Sequence, residues 1–149
     1  METVVHTLAE FEEEAARFAG ALIPSAEGAT LITLSGDLGA GKTAFTKVVA
    51  RSFGVGETVN SPTFVLEKIY ALEAGKPFAH LVHIDAYRLE NGSDLGPLGF
   101  DEVMEDSGNL VLLEWPEKVA DALSAYPAKK ISIEVLADDA RRITYGENK

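Results

Sequence analysis

Apolar residues recur at two spacings along the chain, and the alternation between the two predicts an α/β fold. Thr7-Leu8-Ala9-Glu10 fits the capping box [ST]-x-x-[DE] that starts a helix. Phe11, Ala15, Phe18, Ala19 and Leu22 then fall on one helical side, with Glu12, Glu13 and Glu14 near the positive end. The helix ends near Pro24, and Gly28 leads into Leu31–Leu34, the first core strand. From Ala44 to Phe53 the period returns to that of a helix, with Phe45, Val48, Val49 and Phe53 on one face. Phe64–Tyr70 has strand composition, the Glu73–Pro77 turn follows, and Phe78–Ile84 completes an antiparallel hairpin. After a Gly- and Pro-containing stretch comes a short amphipathic helix, Phe100 to Glu105. Leu110–Leu113 is a continuous apolar run, as expected of a strand buried on both faces. A short helix from Glu117 to Leu123 precedes a last hairpin, Ile131–Leu136 with Arg142–Tyr145. Thr3-Val4-Val5 is read as a short strand or an extended arm. With no repeat, linker or low-complexity tract, residues 1–149 form one domain.

Between the first strand and the second helix stands Gly36-Asp37-Leu38-Gly39-Ala40-Gly41-Lys42-Thr43, which fits the Walker A pattern G-x-x-x-x-G-K-[ST]. Glycines there let successive N–H groups turn inward and cradle phosphate oxygens, where a Cβ would obstruct. Lys42 is the point charge that reaches the β/γ-phosphates, and the Thr43 hydroxyl is an expected Mg²⁺ ligand. The helix opening at this point adds its positive dipole. The motif follows a buried strand and opens a helix, the context that separates it from a chance Gly-rich turn. The expected architecture is a P-loop NTPase-like three-layer fold, its central sheet mixed but mainly parallel and carrying antiparallel hairpins.

Two further strands end in acids: Asp85 after Ile84, and Glu114 after Leu113. Ligands of open α/β sheets sit beyond the carboxyl ends of the strands, so both carboxylates point toward the Walker loop if their strands run parallel to the first. A Walker B element is an apolar strand ending in an acid that completes the Mg²⁺ shell. This chain offers two. The Gly- and Pro-containing loop Gly54–Thr63 leaves the Walker helix, and its Ser61 and Thr63 are candidates to sense a γ-phosphate as switch loops do. Hydroxyls also cap turns, so that role stands beside a purely local one. Trp115 is placed either to cover a nucleotide or to pack at the strand end. His6, His80 and His83 lack metal-ligand spacing and read as structural.

Composition narrows the setting. A hydrophobic share of 46% with 25% charged residues is that of an ordinary globular protein. No apolar run approaches the ~18 residues of a membrane span, and the acidic start lacks a secretory pattern. The absence of cysteine removes disulfides and thiolate metal sites, in keeping with a cytoplasmic protein. A formal net charge of −11 argues against extensive direct contact with nucleic acid.

Four blocks occur in order at short spacings: GDLGAGKT, Ser61–Phe64 (SPTF), His83–Leu89 (HIDAYRL) and Glu114–Glu117 (EWPE). Together they resemble the TsaE family, formerly called YjeE, over most of the chain. These are small bacterial P-loop ATPases needed for the threonylcarbamoyladenosine modification of tRNA. The resemblance implies ATP and Mg²⁺ at Lys42 and Thr43, a metal-binding role for Glu114, a motif aspartate at Asp85 and a switch at the Ser-Pro-Thr loop. It also implies nucleotide contacts from the N-terminal segment, for which Glu12 or Thr7 is the nearest match, and from an arginine of the final hairpin, matched to Arg141. The partners it implies are TsaB and TsaD, the second of which transfers the threonylcarbamoyl group.

Other functions leave traces that can be sought. A GTPase needs an N-K-x-D element to read guanine, and the chain has none. A small-molecule kinase needs basic clamps for its acceptor, and no Arg-rich lid is visible. A nucleotide-gated scaffold without significant turnover stays open, because sequence shows binding better than hydrolysis.

Overall fold

The computed structural model describes residues 1–55 and 67–148. The elements in order are β1 (Glu2–Val5), α1 (Leu8–Gly20), β2 (Thr30–Ser35), α2 (Lys42–Ser52), β3 (Glu67–Ala71), β4 (His80–Asp85), α3 (Phe100–Glu105), β5 (Asn109–Glu114), α4 (Ala120–Leu123), β6 (Ala128–Val135) and β7 (Arg141–Asn148). One seven-stranded sheet runs β1-β7-β6-β2-β5-β4-β3. Its middle is parallel: β2 pairs with β5 and β6, and β5 with β4. Its flanks are antiparallel, β3 against β4 on one side and β6 against β7 against β1 on the other. The mixed, mainly parallel sheet with hairpins is therefore the architecture, and Thr3-Val4-Val5 is a paired strand rather than a loose arm.

Local signals fix the element ends. Thr7 caps α1, its Oγ1 accepting the Glu10 N–H at 3.1 Å. The reciprocal half of the capping box is shifted by one residue, because the Glu10 carboxylate accepts the N–H of His6 at 2.7 Å. The connection between β6 and β7 turns through Asp138 and Asp139, both at positive φ (63° and 60°), a region aspartate enters more readily than most residues.

Two apolar layers hold the sheet. Phe11, Ala15 and Ala19 of α1 and Phe45, Val48 and Val49 of α2 bury one face, packing against Ile32, Leu34, Leu81 and Leu112. Phe45 is fully buried, with Phe11 edge-on at 6.1 Å, a core side chain worth about 1.5–3 kcal/mol of transfer free energy. The opposite face carries Phe100, Met104 and Leu123 over Val82, Ile84, Val111 and Leu113. All six positions of β5 are buried, as the run Leu110–Leu113 implied, because the strand lies between β2 and β4 and under both layers. No helix among the described residues is long and apolar enough to cross a membrane.

The second layer has a close approach that tests the packing. The 3₁₀ segment Gly92–Leu98 lies against α4, where the Gly92 N–H donates to Asp121 at 2.8 Å. A Cβ on Gly92 would stand 2.6 Å from the Ala122 Cβ and 2.8 Å from its backbone nitrogen. Gly92→Ala is expected to cost about 1–3 kcal/mol, the range for forced overpacking, read as a lowered denaturant midpoint. Gly96→Ala, whose Cβ meets nothing within 4 Å, is expected to stay within about 0.5 kcal/mol of the parent.

Candidate functional site

Three neighbouring strands deliver their carboxyl ends to one place. Because β5 lies between β2 and β4, the loop after β2 has Glu114 beside it and Asp85 one strand further out; Leu34 pairs with Glu114, and Glu114 with Asp85. The backbone ties the three ends together beyond the sheet. The Trp115 N–H donates to the Leu34 carbonyl at 3.2 Å, and the Ala86 N–H to the Glu114 carbonyl at 3.0 Å.

The loop Gly36–Gly41 depends on glycine in two distinct ways. Gly36 has φ 153° and its missing Cβ would lie 2.5 Å from the Ile133 carbonyl oxygen of β6. Gly41, the residue capping α2, has φ 122° and packs under the Phe11 ring. A side chain at either position would be strained and would also displace a neighbour. Lys42, the first residue of α2, is buried and folds back over the loop. Its ammonium donates to the carbonyls of Gly36 at 2.5 Å and Asp37 at 2.9 Å, and lies 4.0 Å from the centre of the Trp115 ring. Burial pushes Lys42 below the ordinary lysine pKa, against the opposing pull of Glu114, Glu117, Asp85 and Asp37.

Glu114 is the most enclosed acid of the site, 2% exposed. The Thr43 hydroxyl donates to its carboxylate, 3.0 Å from Oε1 and 3.2 Å from Oε2. On its other side, His83 Nε2 stands 2.6 Å from Oε2. Asp85 is less enclosed and accepts the Tyr87 N–H at 3.0 Å. Trp115 holds φ 62° and ψ 53°, unusual for a bulky residue. Its ring lies between Lys42 and Tyr87, whose ring centre is 5.0 Å away. A bare Thr and Glu pair of hard oxygen donors is what Mg²⁺ accepts from a protein, since that ion keeps waters and phosphate oxygens for the rest of its shell. The residues present fit it.

A cleft of about 360 Å³ opens on the other flank of the loop, between the β1–α1 connection and the β6–β7 turn. Gly39, Ala40, Thr7, Phe11, Asp139 and Arg141 are among its walls. Arg141 is fixed there, Nε donating to the Ala40 carbonyl at 3.0 Å and Nη1 to the Asp139 carbonyl at 2.6 Å. Of the expected contacts at the two ends of the chain, Thr7 and Arg141 thus meet at the loop, and Glu12 does not. Its carboxylate instead pairs with Arg51 near the end of α2, at 2.9 Å. Leu38 sits on the loop, 80% exposed. Ser61 and Thr63 lie outside the described residues.

His83 is the residue that the sequence reading placed among structural histidines and that the fold brings into the site. Its position two residues before Asp85 was the available signal, since alternate residues of a strand share a face.

The sequence model for "Threonylcarbamoyl adenosine biosynthesis protein TsaE" matches residues 9–143. The chain belongs to the TsaE family. The TsaE protein of Rickettsia bellii, named as a tRNA threonylcarbamoyladenosine biosynthesis protein, is 35% identical over 91% of this chain and 90% of its own. That of Bacillus subtilis is 39% identical over 77% of this chain and 68% of its own. The crystal structure of Bacillus subtilis YdiB superposes with a TM-score of 0.78 at 30% identity, covering 100% of this chain and 86% of that one. The resemblance read from the four sequence blocks is therefore the family.

The placement of Glu12 has a direct consequence. Both partners of the Glu12–Arg51 pair are substantially exposed, and such pairs contribute no more than about 1 kcal/mol. Glu12→Gln is expected to leave the affinity of the loop for a nucleotide within about twofold of the parent, because Glu12 is paired with Arg51 at the end of α2 opposite the loop. Titration calorimetry checks it, and a loss of tenfold or more would return Glu12 to the nucleotide site.

Proposed function

We propose that this chain binds ATP with Mg²⁺ at the Gly36–Thr43 loop and hydrolyses it, in the cytoplasm, to support threonylcarbamoyladenosine formation on tRNA together with TsaB and TsaD. The observation that carries the ATPase reading is the Thr43–Glu114 contact at 3.0 Å beside the buried Lys42 ammonium. A phosphate cradle, its lysine and a Walker B-type acid then stand at the carboxyl ends of adjacent parallel strands. Membership of the family supports the pathway. TsaB and TsaD are the partners that the family resemblance brings with it.

The division of labour follows the strand order. Loop N–H groups and Lys42 bind the phosphates, the lysine exchanging two neutral carbonyls for charged oxygens. Thr43 and Glu114 would hold Mg²⁺, which when bound neutralises charge developing between the β- and γ-phosphates. Asp85, one strand further from the loop, is suited to orient the attacking water. The cleft walled by Thr7, Phe11 and Arg141 would take the base and sugar, with the Phe11 edge as an apolar surface. Ser61 and Thr63 would report on the γ-phosphate.

Charge and arginine placement argue for a protein partner rather than direct action on RNA. At −11 the surface repels tRNA and suits a basic protein face. Arg141 bonds to carbonyls on the base side of the loop, and Arg88 is exposed three residues past Asp85. An arginine supplied in trans is worth about 10³–10⁵ in phosphoryl-transfer rate.

Two outcomes test this reading. In calorimetry, Lys42→Ala should lose at least about tenfold in ATP affinity, the value of a charge-assisted bond of about 1.5–3 kcal/mol. Thr43→Ala and Glu114→Gln should mainly weaken the Mg²⁺-dependent part. Equal ATP affinity in the parent and Lys42→Ala would sink the phosphate-loop assignment. In steady-state assays the chain alone should turn over slowly, tRNA should change nothing, and the TsaB–TsaD pair should accelerate it. Rapid turnover unchanged by the pair would remove the partner requirement, and no turnover under any condition would favour the nucleotide-gated scaffold.

A further inference from the structure

His83 lies fully buried on β4, between β5 and the edge strand β3, and its imidazole closes the far side of the Glu114 carboxylate. Three observations bear on what it does there. The Nε2–Oε2 separation of 2.6 Å is at the short end for a nitrogen donor and belongs to a charge-assisted bond. The other ring nitrogen, Nδ1, is buried with no hydrogen-bond partner among the described residues. Glu114 itself is 2% exposed, so its carboxylate relies on bonds from the protein rather than from bulk water.

One tautomer satisfies all three, with Glu114 as the acceptor. A carboxylate can only accept, so the proton on the short contact belongs to Nε2. A bare lone pair at an unpartnered Nδ1 costs less than a buried N–H without an acceptor, so Nδ1 is the unprotonated nitrogen. The geometry of the carboxylate follows. With Oε2 held from behind by His83, Oε1 is the oxygen nearer Thr43, at 3.0 Å against 3.2 Å.

We infer that His83 is a positioning residue for Mg²⁺ binding: its Nε2–H anchors Oε2 of Glu114 and presents Oε1 beside the Thr43 hydroxyl. The inference rests on the proposed Mg²⁺ role of Glu114 and Thr43. In this role His83 acts through the carboxylate. The register explains how it reaches. His83 pairs with Leu112 and Asp85 with Glu114, so His83 and Glu114 are diagonal neighbours on one face of adjacent strands.

The test separates the donor from the bulk of the ring. Glutamine carries an amide nitrogen as many bonds from Cα as Nε2 of histidine, whereas leucine fills the space without a donor and asparagine carries one too short to reach. ADP affinity is measured by calorimetry across a Mg²⁺ series and without Mg²⁺ in the parent, His83→Gln, His83→Leu, His83→Asn and Glu114→Gln. His83→Leu and His83→Asn should need about 10–100-fold more Mg²⁺ for the same enhancement, the usual loss when the partner of a metal ligand is removed. Their Mg²⁺-free ADP affinity should match the parent, and His83→Gln should restore the Mg²⁺ dependence. Parental Mg²⁺ dependence in the Leu and Asn variants, with Glu114→Gln impaired, overturns the inference and leaves the ATPase reading standing. Parental Mg²⁺ dependence in Glu114→Gln overturns the metal-site reading itself. Should His83→Leu not fold, the Gln and Asn pair decides. Nitrogen-15 NMR of the parent supplies an independent readout: a protonated Nε2 at His83 agrees, and a bare Nε2 with protonated Nδ1 refutes.

Discussion

A carboxylate sealed at the carboxyl end of β5 governs how the site is built. Removing an ionised group from water costs several kcal/mol even after relaxation, and the cost is offset only by hydrogen bonds in good geometry. Glu114 meets this requirement with Thr43 from the start of α2 and His83 from β4. Both donors come from elements adjoining β5, and neither would be within reach if another strand separated them. The order β2-β5-β4 is therefore as much a condition of the site as the glycine loop is. The same crowding accounts for Lys42, which burial disfavours as a cation and four nearby carboxylates favour.

Trp115 shows what the crowding costs. It follows Glu114 directly and turns the chain through a left-handed conformation, at about 1–2 kcal/mol for a residue with a Cβ. The turn is retained because its neighbours over-determine it: the backbone N–H bonds to Leu34, the ring faces Lys42, and Tyr87 packs against it. Of the two roles open to Trp115 at the level of sequence, the structure shows packing at the strand end, against Tyr87 and the Lys42 ammonium.

Much of the fold was legible because its signals are local. Helical spacing through Phe45, Val48 and Val49, the apolar run Leu110–Leu113 and the two late hairpins each depend on a few consecutive residues. The glycine loop and the acids at Asp85 and Glu114 were legible for the same reason. What was hidden depends on strand order. The run Leu81–Ile84 with one histidine in it reads as core, and only β4 lying against β5 turns His83 toward a carboxylate 31 positions away. Glu12 was hidden differently. It stands in an acidic run on α1, and where its carboxylate goes depends on the rotation of α1 over α2, where Arg51 captures it.

The cleft beside the loop joins parts of the chain made at opposite times of synthesis. Thr7 follows β1, Arg141 begins β7, and β1 enters the sheet only by pairing Glu2–Val5 with Arg141–Thr144. The loop itself leans on the late strands, with Gly36 against the Ile133 carbonyl of β6 and the Ala40 carbonyl bonded by Arg141 of β7, so its surroundings are complete only once the last strand has docked. A chain ending before β7 would lack both the Arg141 wall of the cleft and the bond that Arg141 makes to the Ala40 carbonyl.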